Sequence, residues 1–262
     1  MSSEGHPRFD IAGGSVTGRS HVLAGRANQD AWAVRASGGH LVGVVADGCG
    51  SGAHSEVGAT LGARVVATAL GARLDRGARL GDASLWEGLR VELLDALRPI
   101  ARAAGERIGD TVAELFLFTL VGVVVDGDEG AVFAAGDGIV AIDGEITRLG
   151  PFPGDAPPYV GYGLGDRGEG PAIEVVRAFD ARSIGHALIG TDGAAALADH
   201  EGGRELRRLW EEERHFKNRD GLRRTLSLLN REESRPLWDE RRIERRRGLC
   251  EDDATVIVLR AR

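Results

Sequence analysis

Aspartate recurs in this chain where short apolar runs meet small residues. Asp30, Asp47, Asp137, Asp192 and Asp252 each stand at the end of a strand-like run or beside a turn residue. Carboxylate oxygens are what hard divalent cations such as Mg²⁺ and Mn²⁺ select, and carboxylates at the ends of neighbouring strands can converge on one cleft. Taken singly, none is diagnostic. Asp47-Gly48, Asp143-Gly144 and Asp192-Gly193 are common turn dipeptides, because an aspartate side chain bonds its own backbone there. Asp137 lies in a GDG that suits a hairpin connection, and Asp252 in an EDDAT that suits a solvated start to a strand. The set carries the signal.

Positioning such a set takes several strands. The first third reads as "FDIAGGSV", "AWAVRA" and "LVGVVAD" between glycine, asparagine and serine turns, most simply an antiparallel meander. From Ser55 the spacing turns helical, with Val57, Leu61, Val65, Val66 and Leu70 on one face. A second amphipathic helix is expected over Ala83 to Arg107, capped by Asp82 or Ser84 and kinked or split at Pro99. Two adjacent helices would then cover one sheet face.

Next come two expected hairpins, "ELFLFTLVGVVVD" with "AVFAAGDGIVAI", and that run with "EITRLG" across Asp143-Gly144. A proline- and glycine-rich excursion follows, whose "GYGLGD" (161–166) reads as a mobile flap beside the cleft. After the strands "AIEVVRAF" and "HALIGTD" come three short Arg- and Glu-rich helical patterns, and then the strand "ATVIVLRAR". The order suggests two packed sheets with helices outside, in one domain over 1–262.

Composition narrows the function. Apolar residues at 42% and charged residues at 28% of 262 suit a globular chain, despite 39 glycines. A net charge of -7 argues against a dedicated nucleic-acid binder. Lys217 is the only lysine, which reflects either base composition of the genome or a use for guanidinium groups on phosphate. The start lacks a basic region followed by an apolar run, and no window is long enough to span a membrane, so a cytoplasmic protein is expected. Cys49 and Cys250 are expected to be reduced thiols.

In order along the chain, "RANQD" (26–30), "VADGCGSG" (45–52), "FTLVGVVV", "AAGDG", "IGTDG" (189–193) and "DDATVIVL" resemble the motif series of the metal-dependent type 2C protein phosphatases, the PPM family. The resemblance covers nearly the whole chain. It implies an α+β fold, a four-layer αββα sandwich of two central antiparallel sheets flanked by helices, with a two-metal cleft at one end. It further implies that Asp47 bridges two Mn²⁺ or Mg²⁺ ions and the Gly48 carbonyl binds the second. Asp192 and Asp252 would hold the first, Asp30 would reach the second, often through a water, and Asp137 would share a third, weaker ion with Asp192. Arg26 matches the arginine that binds the substrate phosphate.

The function implied is hydrolysis of phosphoserine or phosphothreonine on a protein, without a phosphoenzyme. The partner would be a Ser/Thr kinase of the same, bacterial, cell or that kinase's targets. A monomer is expected, with no nucleic acid and no membrane.

The sequence departs from the family pattern twice. Gln29 replaces the usual glutamate of the first motif, so a weaker second metal site is expected. Cys49 follows Asp-Gly where many relatives carry a histidine, and reads as a small apolar filler rather than a proton donor. These departures keep two alternatives open: a noncatalytic module that binds a phosphoprotein or regulator, and a phosphatase of small phosphoesters. His54 reads as a surface helix start, and the remaining histidines give no metal-site spacing. "REESRPLWDERRIERRRG" (231–248) reads as a solvated helix, with Trp210 and Trp238 anchoring the late helices.

Overall fold

A computed structural model of the chain describes residues 6, 8–37, 39–165 and 170–262. β1 (Phe9–Val16) and α1 (Arg19–Ala24) come first, followed by β2 (Ala31–Ser37) and β3 (His40–Gly48). Three helices then run in succession, α2 (Glu56–Leu74), α3 (Ala83–Ala104) and α4 (Ile108–Leu115). β4 (Phe118–Asp126), β5 (Glu129–Ala135), β6 (Gly138–Ile142), β7 (Glu145–Leu149), β8 (Glu174–Asp180) and β9 (His186–Gly190) follow. The last part holds α5 (Ala195–Asp199), α6 (Arg204–Glu211), α7 (Arg214–Lys217), α8 (Gly221–Leu229), β10 (Glu233–Leu237), β11 (Arg242–Arg246) and β12 (Ala254–Ala261).

Two five-stranded antiparallel sheets form the centre, ordered β2-β3-β4-β5-β8 and β1-β12-β9-β6-β7. Alternation along each strand explains the layers. On β3, Leu41 and Val45 face the second sheet, whereas Val42, Val44 and Ala46 face α2 and α3. On β12, Ile257 and Leu259 meet the first sheet, and Val256 and Val258 pack under α6 and α8. Both faces are covered, so the strands read as continuous apolar runs. The expected αββα sandwich is what forms.

The expected meander is only partly realised. β2 to β5 do make one, but β1 belongs to the other sheet, paired along its length with β12. The two hairpins β4-β5 and β6-β7 likewise lie in different sheets, because the chain crosses between layers at Gly136-Asp137.

The face of α2 also differs from the expected one. Gly58, Ala59, Gly62, Ala63, Val66 and Leu70 are buried, while Val57, Leu61 and Val65 are half-exposed. Small residues win because the helix lies close on the sheet: a Cβ at Gly62 would sit 2.4 Å from the Phe118 ring. α3 is not split at Pro99 but continues to Ala104, with Asp82 at its N-cap and no side-chain cap bond. Residues 108–115, part of which read as strand, form α4.

Three more expectations fail. Residues 231–248 form no helix but an exposed hairpin, β10 paired with β11, with Pro236 opposite Ile243. Trp210 does anchor α6, 5% exposed and stacked on His186, but Trp238 at the hairpin tip is 81% exposed. Leu164 in the "GYGLGD" stretch and Val160 just before it are buried, and a Cβ on Gly163 would reach Leu94 at 2.7 Å. That stretch is pinned to the core rather than free as a flap, and its Asp166 lies outside the described residues.

Candidate metal centre

Strand direction brings the aspartates together. Asp30 precedes β2, Asp47 and Gly48 end β3, Asp137 sits between β5 and β6, Asp192 follows β9, and Asp252 precedes β12. Since neighbours are antiparallel, the start of β2 lies beside the end of β3, and the start of β12 beside the end of β9. All five positions therefore fall on one rim of the sandwich. Register sharpens this: Ala31 opposite Ala46 sets Asp30 across from Asp47.

Glycines shape the rim. Gly136 and Gly138, on either side of Asp137, have φ of 103° and 145°, a region L side chains avoid. A Cβ on Gly138 would lie 2.7 Å from the Gly190 carbonyl, so the crossing to the second sheet needs glycine for room as well as for conformation. At Gly48 a Cβ would come 2.7 Å from the Gln29 carbonyl, whose oxygen accepts the Gly48 N–H at 3.2 Å.

The carboxylates differ in setting. Asp30 is buried, Asp47 and Asp137 are half-buried, and Asp192 and Asp252 are exposed. Burial pushes the Asp30 carboxyl up to about 8, with the Asp253 and Asp192 charges adding to it and the Thr191 hydroxyl, donating at 2.7 Å, opposing it. Burial first, then the Asp30, Asp192 and Asp252 charges, hold Asp47 well above the usual carboxylate range. Burial and the Asp192 charge also raise Asp137 and Asp252. Oxygen-only donors that raise one another in this way are matched to a compensating hard cation. The residues present fit Mg²⁺ or Mn²⁺.

Arg26 reaches the same rim. Its two terminal nitrogens donate to the Gly50 and Gly52 carbonyls of the turn after Asp47. Gln29 is 2% exposed and donates from Nε2 to the same Gly52 oxygen at 3.0 Å, while its Oε1 has no hydrogen-bond partner. Cys49 is half-buried and not the apolar filler expected: its Sγ lies 3.1 Å from Ser51 Oγ. Burial raises its pKa, but the Ser51 and Tyr159 hydroxyls outweigh that and lower it. His54 is exposed just before α2, as expected.

Asp253 escaped the sequence reading, which took EDDAT as solvated. It is 3% exposed and accepts from Gly18 N at 2.7 Å, Gln29 N at 2.6 Å and His21 Nδ1 at 2.8 Å. His21, Asp252 and Asp253 thus form a group close enough to hold a metal, although no histidine spacing suggested one. A signal existed. Asp253 and Thr255 have the parity of Ile257 and Leu259, the inward face of β12.

A two-sheet sandwich with five aspartates and an arginine on one rim is the arrangement of a metal-dependent hydrolase acting on an anionic ester. The match in sequence is to the family described as Protein phosphatase 2C, over residues 17–233, and the chain belongs to that family. It is a metal-dependent serine/threonine protein phosphatase, and its substrates are phosphoproteins.

Solved structures agree on the fold. A bacterial serine phosphatase is 16% identical over 97% of this chain and 98% of its own, with a TM-score of 0.55. The serine/threonine phosphatase Stp1 from Staphylococcus aureus is 16% identical over 96% and 94%, TM-score 0.54. PppA, described as a key regulatory component of T6SS in Pseudomonas aeruginosa, is 21% identical over 97% and 98%, TM-score 0.53. No curated protein sequence matches the chain. Among the described residues no helix is long and apolar enough to cross a membrane.

Proposed function

We propose that Asp47, Asp192 and Arg26 carry phosphomonoester hydrolysis, with Asp30, Asp47, Gly48, Asp192 and Asp252 holding two Mn²⁺ or Mg²⁺ ions. One observation supports this most: five strand ends deliver aspartates to one rim, where burial and mutual repulsion raise four of the carboxyls. Asp47 would serve both ions, and the Gly48 carbonyl would serve the second. Asp192 and Asp252 serve the first, Asp30 the second, and Asp137 with Asp192 a third. Ions held there would lower the pKa of a bound water and offset the phosphate charge.

The protein's own part is positioning. Arg26 gives a planar fork for two phosphoryl oxygens, which replace the Gly50 and Gly52 carbonyls as its acceptors. The Thr191 hydroxyl holds Asp30, and the Thr191 Oγ1 accepts from Thr255 N at 3.0 Å, so β9 and β12 fix that carboxylate together. Water attack in line releases the serine or threonine hydroxyl and inorganic phosphate, with no phosphoenzyme.

In the cell this reading makes residues 1–262 one catalytic domain, acting as a monomer in a bacterial cytoplasm. Its counterpart is a Ser/Thr kinase or that kinase's targets. The test is hydrolysis of a chromogenic phosphoester with Mn²⁺, with EDTA and with Asp192→Asn. Both perturbations should cut the rate by about a hundredfold or more; equal rates in all three would remove the metal site from the mechanism.

A further inference from the structure

The β10-β11 hairpin takes no part in the metal centre, and it is the most exposed regular element of the chain. Every residue from Arg231 to Arg247 is exposed except the half-buried Leu237. Among the described residues the two strands pair only with each other, which leaves both outer edges of the hairpin outside any larger sheet. A hairpin of this size is marginal without a partner surface.

Its charge is opposite to that of the molecule. Seven arginines and five acids lie between Arg231 and Gly248, on a chain whose net charge is -7. Among the described residues only Arg242 is paired, with Glu240, while Arg231, Arg235, Arg241, Arg245, Arg246 and Arg247 reach no carboxylate. Elsewhere most arginines are paired, as Arg208 is with both Glu205 and Glu212. At the hairpin base, Arg231 and Arg246 open with Arg208, Arg214 and Thr225 onto a cleft of about 290 Å³.

Arginine along a free edge also guards against edge-to-edge pairing of sheets. Guarding accounts for the charge but not for the apolar groups beside it, which it would remove: Trp238 is 81% exposed at the tip and Ile243 is 59% exposed on β11. An aromatic anchor among arginines is the composition of a protein-binding hot spot.

The hairpin is also close in sequence to the metal centre. Asn230, at its base, accepts the Cys250 N–H through Oδ1 at 2.9 Å and donates through Nδ2 to the Thr17 carbonyl at 2.8 Å. Two residues beyond Cys250 comes Asp252.

We propose that the hairpin is a docking arm for an acidic segment of the phosphoprotein substrate. Trp238 and Ile243 give the apolar contact, the unpaired arginines give charge, and the free edges can add an extended peptide strand. The proposal rests on the phosphatase reading for the identity of the occupant. Docking away from the metal centre raises the local concentration of the phosphorylated residue there, so it changes KM and leaves kcat alone. Because the contact is largely ionic, it weakens with added salt.

The test compares the wild type with R245Q/R246Q/R247Q and, separately, W238A. The binding probe is a fluorescein-labelled, unphosphorylated dodecapeptide of glutamate and aspartate, followed by anisotropy. The triple variant should bind it about tenfold more weakly and show a matching rise in KM for a phosphopeptide carrying that segment. Turnover of para-nitrophenyl phosphate with Mn²⁺ should be unchanged in both variants, which also shows that they fold.

Unchanged peptide affinity in both variants overturns the arm. Tighter binding of a single-stranded oligonucleotide of equal length at the same salt overturns it in favour of a nucleic-acid contact. If wild type hydrolyses no phosphoester, the phosphatase reading has failed, and the peptide titration still decides whether the hairpin binds acidic segments.

Discussion

In EDTA the protein is expected to lose stability as pH rises from about 6.5 to about 8, and Asp30→Asn should remove much of that loss. Burial raises the folded-state pKa of Asp30 to about 8, whereas an unfolded aspartate titrates near about 4. Between those values the folded chain keeps a proton that the unfolded chain has shed, so the free energy of unfolding falls with rising pH. One such proton is worth about 1.4 kcal/mol per pH unit. The slope fades as Asp30 itself titrates, which leaves about 1 to 2 kcal/mol across the window, and Asp47 adds in the same direction.

Buried His6 and His215 and half-buried His186 have lowered pKa values and act oppositely, an effect that fades within about one pH unit above the unfolded histidine pKa of about 6.5. That contribution is common to wild type and Asp30→Asn, so the difference between the two isolates the carboxylate. The assay is urea unfolding of wild type and Asp30→Asn at three pH values with EDTA, repeated with saturating Mn²⁺. Binding of cations requires ionised carboxylates, so the metal should reverse the slope. Wild type gaining stability from pH 6.5 to 8 in EDTA, or Asp30→Asn keeping the full slope, would refute the electrostatic account of the rim.

Arg26→Ala should raise KM for a phosphopeptide by about tenfold to a hundredfold while Mn²⁺ affinity, measured by calorimetry, changes less. Gly138→Ala must adopt φ near 145° and approach the Gly190 carbonyl; an equilibrium unfolding series should show a loss of about 1 to 3 kcal/mol. Trp210→Ala should cost about 3 to 5 kcal/mol, whereas Trp238→Ala should stay within about 0.5 kcal/mol, as read from denaturation midpoints.

The aspartates were legible because their role depends on sitting where an apolar run stops, and runs and stops are visible in sequence. What those runs join was not. β1 looks like a partner for β2, yet nothing local marks that its alternation fits β12 instead. The buried face of α2 was misread because Gly58, Gly62 and Ala63 carry little hydrophobic weight, although they let Phe118 close on the helix. Residues 231–248 looked helical from mixed charge, while Pro236 and the β-branched Ile243 opposite it are the better guides to a hairpin. Asp253 was hidden by its neighbour: two adjacent acids suggest solvent, but only alternate residues of a strand share a face.

The position of β12 couples folding to the metal centre. It is the last strand among the described residues and lies between β1 and β9, and the turn before it carries Asp252 and the Asp253 that grips Gly18, His21 and Gln29. A growing polypeptide that has emerged only as far as β11 has β1 without a neighbour in its sheet and lacks one of the proposed metal ligands. Docking of β12 is therefore the step that both closes β1 into its sheet and sets Asp252 and Asp253 at the rim, so assembly of the proposed metal centre is tied to completion of that sheet.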